Sequence, residues 1–425
     1  MPTKIRWLVL GLIILIVFQI ANANSNTIKL SSGQQSVESN YFGLHIHHLA
    51  HPTVKTPWPN LKFGTWRLWD AYVNWSYLEP KKGEWDFSKL DQYVEMARTH
   101  KVEILLPLGL SPRWASARPN EKSSYGLGNA AEPQDVDNWR NYVRTVATRY
   151  KGQIHHYELW NEVSSPGFYS GKQKQLVELA RVAYITLKEI DPTIVFISPS
   201  VAGDNSHALP WLEQYFKEGG HKYADVVAYH FYVADKEPEA MLSLVYKVKT
   251  LTGKYGLSGK PLWNTESGWW IANKDGTPET GAVKGWKRLL SSDAENFVAR
   301  ALILGKSAGI ERFYWYAWDN GTMGLIELHS KKFKPAAHAY QQVYAWLVGS
   351  VLQNCTQKQT MWTCDLFDAK GIHKRLAWTT GKDLMWITPH TWHISSYQTL
   401  DGQHHSTKPG SPITLTQAPM LIIGR

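Results

Sequence analysis

Residues 154–162 read Ile154-His155-His156-Tyr157-Glu158-Leu159-Trp160-Asn161-Glu162, a short run rich in aromatic residues that ends on Asn161 and Glu162. Such a run predicts a strand over Ile154–Trp160, with a carboxyl group set at its end. A second stretch has the same shape. Trp263-Asn264-Thr265-Glu266-Ser267-Gly268 again places a glutamate at an apolar, Trp-flanked strand end.

Working outward, Phe42–His48, Gly64–Trp69, Val102–Leu108, Ile194–Ser198, Asp225–Phe231, Pro261–Thr265 and Arg312–Ala317 join Ile154–Trp160 as candidate strands, eight in all. Helix-like segments lie between them: Ser88–Thr99, Gln134–Tyr150, Lys172–Ile190, Leu209–Glu218, Pro238–Tyr255 and Ser292–Ala308. Ser88 suits an N-cap, and Leu90, Val94 and Ala97 share one face. Pro192 and Gly309 stand where helix stop signals belong. Strands alternating with helices predict an α/β fold, a (β/α)8 TIM barrel. A doubly wound open sheet is the alternative, but no G-x-G-x-x-G turn follows the first strand. Lys334–Val348 reads as the last barrel helix. Beyond it, Met361–Phe367, Arg375–Thr379, Asp383–Thr388, Ile413–Leu415 and Met420–Ile423 are short alternating runs parted by Gly, Asp and Pro. They predict a small C-terminal β-sandwich domain. The expected division is 1–23, 24–348 for the barrel and 349–425 for the sandwich.

The 425 residues are 43% hydrophobic and 19% charged, enough to bury a core and too apolar for disorder. No repeat of 20–50 residues is visible, which argues against solenoids and propellers. The formal charge is +10, with no run of five basic residues, which argues against a nucleic-acid arm. The excess suits an acidic polymer, a membrane surface or simply a solvated basic face. The chain carries 21 Trp, 21 Tyr and 12 Phe. So many indoles suggest flat apolar surfaces kept for a ligand such as a sugar, with a Trp-rich core as the alternative.

Lys4 and Arg6 precede an apolar run from Trp7 to Ile20, and Ala21-Asn22-Ala23 has the small-x-small form of a cleavage site. The run is short for a membrane span of about 20 residues. Residues 1–23 therefore read as an export signal, with an uncleaved anchor as the alternative. The rest of the chain is expected outside the cytoplasm, periplasmic or extracellular, with membrane contact only through this segment. In an oxidising compartment Cys355 and Cys364 suit a disulfide that clips a hairpin.

A barrel keeps its working residues at the C-terminal ends of its strands, where Glu162 and Glu266 fall. Glycoside hydrolysis needs two carboxyl groups flanking the scissile bond, one protonated and one ionised. The Asn161-Glu162 pair and Glu266 resemble the catalytic motifs of the clan of retaining glycosidases built on this barrel. The stretch Trp75-Ser76-Tyr77-Leu78-Glu79-Pro80-Lys81-Lys82-Gly83-Glu84-Trp85-Asp86-Phe87 resembles a second signature of that clan. The likeness covers residues 40–425 and is nearest to glycoside hydrolase family 39, including bacterial enzymes that cut biofilm exopolysaccharide.

The resemblance implies that Glu162 is the general acid/base and Glu266 the nucleophile. Asn161 would bond the sugar 2-hydroxyl, and Arg67 would hold Glu266 ionised. His230 and Tyr232 would line the pocket and touch the nucleophile, and Trp315 or Trp318 would form its floor. The family tends to carry a histidine beside the strand-two arginine; Trp69-Asp70 stands there instead. Strand alternation puts Glu158 and Glu162 on one face and Asn161 on the other, so Asn161 reaches the site only if the strand ends or bulges. Glu158 reads as a member of a buried network, and Glu79 as the closure of a turn. His45, His47 and His48 could touch sugar hydroxyls. Alternation parts His47 from His48, which argues against a metal site.

The loops Ser111–Pro133 and Ser267–Ser291 carry Trp114, Trp269, Trp270 and Trp286. Trp114, Trp269 and Trp270 are expected as sugar platforms along a polymer. The leading expectation is an endo-acting retaining glycosidase on a bacterial exopolysaccharide, acting as a monomer without metal or cofactor. A non-hydrolytic carbohydrate-binding protein and a transglycosylase on the same fold are the alternatives.

Overall fold

The computed structural model describes residues 27–30, 35–51, 53–281 and 284–424. The expected export signal lies outside the described residues. Eight parallel strands form the barrel: β1 (Phe42–His45), β2 (Thr65–Arg67), β3 (Glu103–Leu108), β4 (His156–Leu159), β5 (Val195–Ile197), β6 (Val227–Tyr229), β7 (Leu262–Ser267) and β8 (Arg312–Trp315). They pair in the order β5-β4-β3-β2-β1-β8-β7-β6. Bridges Ile197–Val226 and Ala202–His230 close the ring between β5 and β6.

Strand parity fills the barrel. Leu105, Ile197, Val226, Ala228, Trp263 and Tyr314 pack together as one cluster inside it. The alternate residues, among them Leu106, Phe196, Val227 and Phe313, join the large core under the helices. Most strands are shorter than the sequence suggests. Their last residues leave the ladder, and that departure builds the site.

The helices are α1 (Trp75–Leu78), α2 (Ser88–His100), α3 (Val136–Arg149), α4 (Gln173–Ile190), α5 (Ala208–Lys217), α6 (Ala240–Lys254), α7 (Ser291–Ser307) and α8 (Pro335–Leu347). Helix α3 shows why they form. Asp135 caps it by accepting from the Asp137 amide, and Trp139, Tyr142, Val143, Val146 and Ala147 are buried at helical spacing. Glu79 closes the turn after α1, accepting from Trp75 Nε1 at 2.8 Å and from the Gly83 amide at 2.9 Å.

The C-terminal region holds β9 (Val351–Lys358), β10 (Met361–Phe367), β11 (His373–Thr379), β12 (Leu384–Ile387), β13 (Ile394–Gln398), β14 (His404–Ser406), β15 (Pro412–Leu415) and β16 (Met420–Gly424). Six of them make an antiparallel sheet, and β12 pairs with β15 in a second. Ile413 and Leu415 of β15 pack on Ala377, Met420 and Ile422 of the first. The large sheet has a seventh strand, Thr27–Leu30, paired antiparallel with β9. This corrects the expected start of the barrel at residue 24. Residues 27–30 belong to the C-terminal sheet because β9 offers them a free edge.

Cys355 of β9 and Cys364 of β10 are bonded and buried, with Cα atoms 4.0 Å apart. Closing so short a loop stabilises by roughly 2–3 kcal/mol. Replacing both cysteines by alanine is therefore expected to lower the melting temperature by several degrees. A thiol titration of the unfolded, non-reduced protein is expected to find no free thiol.

Candidate active site

Arg67, the last residue of β2, lies fully buried under the barrel mouth. Its Nε donates to Glu158 at 2.6 Å, Nη1 to Glu266 at 3.0 Å and Nη2 to Asn161 Oδ1 at 2.7 Å. A buried guanidinium persists only when it is paired and hydrogen-bonded in this way. Glu158 also accepts from Thr265 Oγ1 at 3.0 Å, which ties β4 to β7. Glu158 is thus the network member the sequence suggested.

The alternation problem at Asn161 is solved by backbone geometry. Strand β4 ends at Leu159, and Trp160 and Glu162 have φ of 57° and 43°. These left-handed residues turn the chain out of the pleat, so Asn161 meets Arg67 while Glu162 enters the pocket. The cost is carried by fixed neighbours. Trp160 donates through its amide to Leu108 at 2.7 Å and through Nε1 to Phe168 at 2.7 Å. Gly109 allows this, because a Cβ there would lie 2.9 Å from the Trp160 ring.

Glu266 sits near the end of β7 and also accepts from the Tyr232 hydroxyl at 2.9 Å. Nδ1 of His230 lies 3.0 Å from Glu162 and 3.8 Å from Glu266. His230 thus bridges the pair, touching Glu162 as well as Glu266, the carboxyl the resemblance had it touch. One oxygen each of Glu162 and Glu266 and a His230 nitrogen lie within 4.8 Å of one another. Such a trio could also ligate a cation, but Arg67 already supplies a positive charge beside Glu266. His45, His47 and His48 form no such group among the described residues.

The carboxyl pair holds its protons unusually tightly. Burial pushes Glu162 up to about 7, with Arg67 opposing and Asp70 reinforcing. Burial lifts Glu266 to about 7 as well, while His230 and Arg67 pull it down and Glu162 pushes it up. Two close carboxyls share one proton near neutrality. Glu266 has the ion pair and the tyrosine hydroxyl, both of which favour its ionised form, so the proton rests on Glu162. Burial drives His230 down to about 4, so its imidazole is neutral at pH 7.

The aromatic expectations need correction. Trp315 and Trp318, the two expected candidates for the pocket floor, are both buried. Trp315 points outward and stacks on Trp269 at 6.0 Å, and Trp318 packs edge-on against Phe333 at 5.3 Å. Tyr316, which follows Trp315, is half-buried at the mouth and donates to Asp70 at 2.7 Å. Gly268 makes room for it, since a Cβ there would lie 2.5 Å from the Tyr316 carbonyl oxygen. His47 lies 4.8 Å from the Tyr316 ring, and Asp319 accepts from its amide at 2.7 Å.

Trp269 is not a platform. It is fully buried, donates to the Lys236 carbonyl at 3.1 Å and packs on Phe297. Trp114 and Trp270 are half-buried, with their indole N–H groups spent on the Glu79 carbonyl and on Glu279. Trp286 lies 5.3 Å from the ring of Tyr232, whose hydroxyl donates to Glu266. Much of the Trp excess is core: Trp66, Trp75, Trp139, Trp160, Trp362 and Trp378 are all fully buried.

Asp70 and Tyr125 were not foreseen as site residues. Asp70 accepts from Tyr125 at 2.6 Å as well as from Tyr316. The departure Trp69-Asp70 from the family pattern was the signal that pointed there.

Comparison with known proteins now bears on this geometry. The family models described as "Glycosyl hydrolase family 10" and "Glycosyl hydrolase catalytic core" match residues 70–187 and 132–332. Residues 70–332 are thus similar to glycosyl hydrolases in sequence. The barrel resembles those of family 39 structures. A β-xylosidase of Geobacillus stearothermophilus is 21% identical over 280 residues, 60% of this chain and 55% of that protein. An endo-1,4-β-xylanase C of Paenibacillus barcinonensis is 26% identical over 100 residues, 23% of this chain and 9% of that protein. The chain thus matches less than two thirds of the length of these curated relatives. A family 39 glycoside hydrolase from Bacteroides cellulosilyticus WH2 shares the fold with a TM-score of 0.66 at 18% identity, over 86% of this chain and 76% of that one. A family 39 β-xylosidase from Caulobacter crescentus does so with a TM-score of 0.62 at 15% identity, over 92% and 98%.

Two outcomes follow for the protein. Trp269→Ala is expected to cost about 3–5 kcal/mol of stability, as loss of a core indole does, read as a large fall in melting temperature. Asp70 raises both carboxyls, so Asp70→Asn should lower both values. Both limbs of the pH–rate profile are expected to move to lower pH.

Proposed function

We propose that this protein is a glycoside hydrolase, a retaining β-glycosidase that cuts an exported bacterial exopolysaccharide within the chain. The observation that carries the retaining mechanism is the asymmetry of the pair. Glu266 is bonded to Arg67 and Tyr232, while Glu162 is joined to it only through His230. Oxygens of the two lie within 4.8 Å, the spacing class of a double displacement, which needs about 5–5.5 Å between carboxyls. An inverting enzyme leaves room for a water and needs about 6.5–9.5 Å.

In the first step Glu266 attacks the anomeric carbon as the Glu162 proton passes to the departing glycosidic oxygen. The product is a glycosyl ester on Glu266 and an ionised Glu162. In the second, Glu162 takes a proton from water, the hydroxyl attacks the anomeric carbon, and Glu266 leaves as carboxylate. Asn161, oriented by Arg67, is placed to bond the 2-hydroxyl.

The exported setting is supported by the signal-like residues 1–23 and the bonded cysteine pair. The exopolysaccharide reading rests on the sequence resemblance of Asn161-Glu162 and Glu266 to the glycosidases that include exopolysaccharide-cutting enzymes, and the named relatives make xylan a second polymer to test.

The test is a panel of purified bacterial exopolysaccharides with xylan and cellulose oligomers, products sized by mass and the first-formed anomer read by NMR. Retention and early mid-length products are expected; inversion overturns the mechanism, and release of monosaccharide only overturns internal cutting. Glu266→Gln is expected to lose several orders of magnitude in rate with its melting temperature held. Because Glu162 must be protonated to act, activity is expected to fall as pH rises through about 7.

A further inference from the structure

The outermost carboxyl of the pair, Glu162, opens onto a cleft of about 750 Å³ that runs away from it between the starts of α4 and α5. Its wall includes Ser164 and Ser165 after β4, Gln173 at the start of α4, and His207, Trp211 and Gln214 at α5. The volume falls in the range of small-molecule pockets, roughly 300–1,000 Å³, and admits more than one pyranose ring.

The chemistry of the wall is selective. Apart from Glu162, the lining holds no Asp, Glu, Lys or Arg. The serine hydroxyls and the Gln173 amide offer donors and acceptors of the kind sugar hydroxyls need. Asn205, also on the wall, is not free for this role: its amide donates to Ala202 and its oxygen accepts from the His207 and Ala208 amides. That bonding fixes the loop that carries His207. Trp211 is half-buried, stacked at 15° on Tyr215. One face of the indole is thus held by the protein, and the side chain borders the cleft.

We propose that this cleft is the leaving-group side of the site, where Trp211, Gln173 and His207 hold neutral sugar residues of the departing chain. The proposal rests on Glu162 being the proton donor, because the donor marks the side on which the glycosidic oxygen departs. The platform on this side then lies on α5, away from the two loops in which the sequence places its tryptophans.

The test compares leaving groups. Xylotetraose needs the cleft to hold its departing sugars, whereas 4-nitrophenyl β-D-xyloside loses only a small aryl oxide, 4-nitrophenolate, as its xylosyl group passes to Glu266. Cellotetraose and 4-nitrophenyl β-D-glucoside form a parallel pair. Trp211→Ala is expected to lower kcat/KM on the tetrasaccharide about thirtyfold more than on the aryl glycoside, the scale of a lost aromatic anchor. Equal losses on both, or none on either, would overturn the assignment. Trp211 also packs on the core, so the Gln173→Ala/His207→Ala double variant is run beside it. If Trp211→Ala does not fold, the ratio in the double variant decides by the same criterion, with at least a fivefold shift expected. If the wild-type enzyme cleaves neither pair nor any polysaccharide of the panel, the hydrolytic reading fails and the cleft assignment fails with it. An active wild type with unchanged ratios removes the cleft assignment alone.

Discussion

Everything at the mouth of this barrel depends on one buried guanidinium. Arg67 has no exposed surface, and its partners come from two other strands: Glu158 and Asn161 from β4 and the turn after it, and Glu266 from β7. A charge so placed costs far more than a surface ion pair contributes if any partner is lost. The cost of burying Arg67 is offset only while β2, β4 and β7 keep their register. The same contacts bear on the chemistry, since of Glu162 and Glu266 it is Glu266 whose ionised form the bond from Arg67 favours. Stability and reactivity are therefore coupled at Arg67, and a lysine there could not reach all three acceptors with its point charge.

How far the sequence discloses this depends on the residue. The barrel is visible because eight apolar runs alternate with segments of helical spacing, and Glu162 and Glu266 stand at strand ends. Asn161 shows the limit of parity. Alternation alone points it away from the site, and only the two left-handed residues Trp160 and Glu162 reverse that. Neither residue type announces a positive φ in a sequence. At β8 parity does hold, and it turns against the tryptophans: Tyr314 fills the barrel, Trp315 faces the helices and Tyr316 returns to the mouth. The strand at residues 27–30 could not be foreseen, because its pairing with β9 spans most of the chain.

The aromatic excess divides along the same physical line. An indole has one polar N–H, and a buried one usually finds a partner, although those of Trp66, Trp318 and Trp362 have none among the described residues. Trp139 donates to Leu179, Trp160 to Phe168 and Trp269 to Lys236, all backbone carbonyls in loops or helix interiors. Composition counts these rings but does not report whether a carbonyl awaits them. Core and platform tryptophans are thus alike in sequence and separated only by packing.

The site also has a direction. Glu266 is held by Arg67 and Tyr232, so its proton is the easier of the two to lose. Glu162, at 17% side-chain exposure, faces the water and the cleft toward α5. Asp70, fixed by Tyr125 and Tyr316, adds negative charge that makes a second ionisation in the pair harder. Exchanging the roles of the two glutamates would require moving the guanidinium from Glu266 to Glu162. That move would break its bonds to Glu158 and Asn161. The strands that bury Arg67 thus decide which carboxyl carries the proton, and so on which side a glycosidic oxygen would depart.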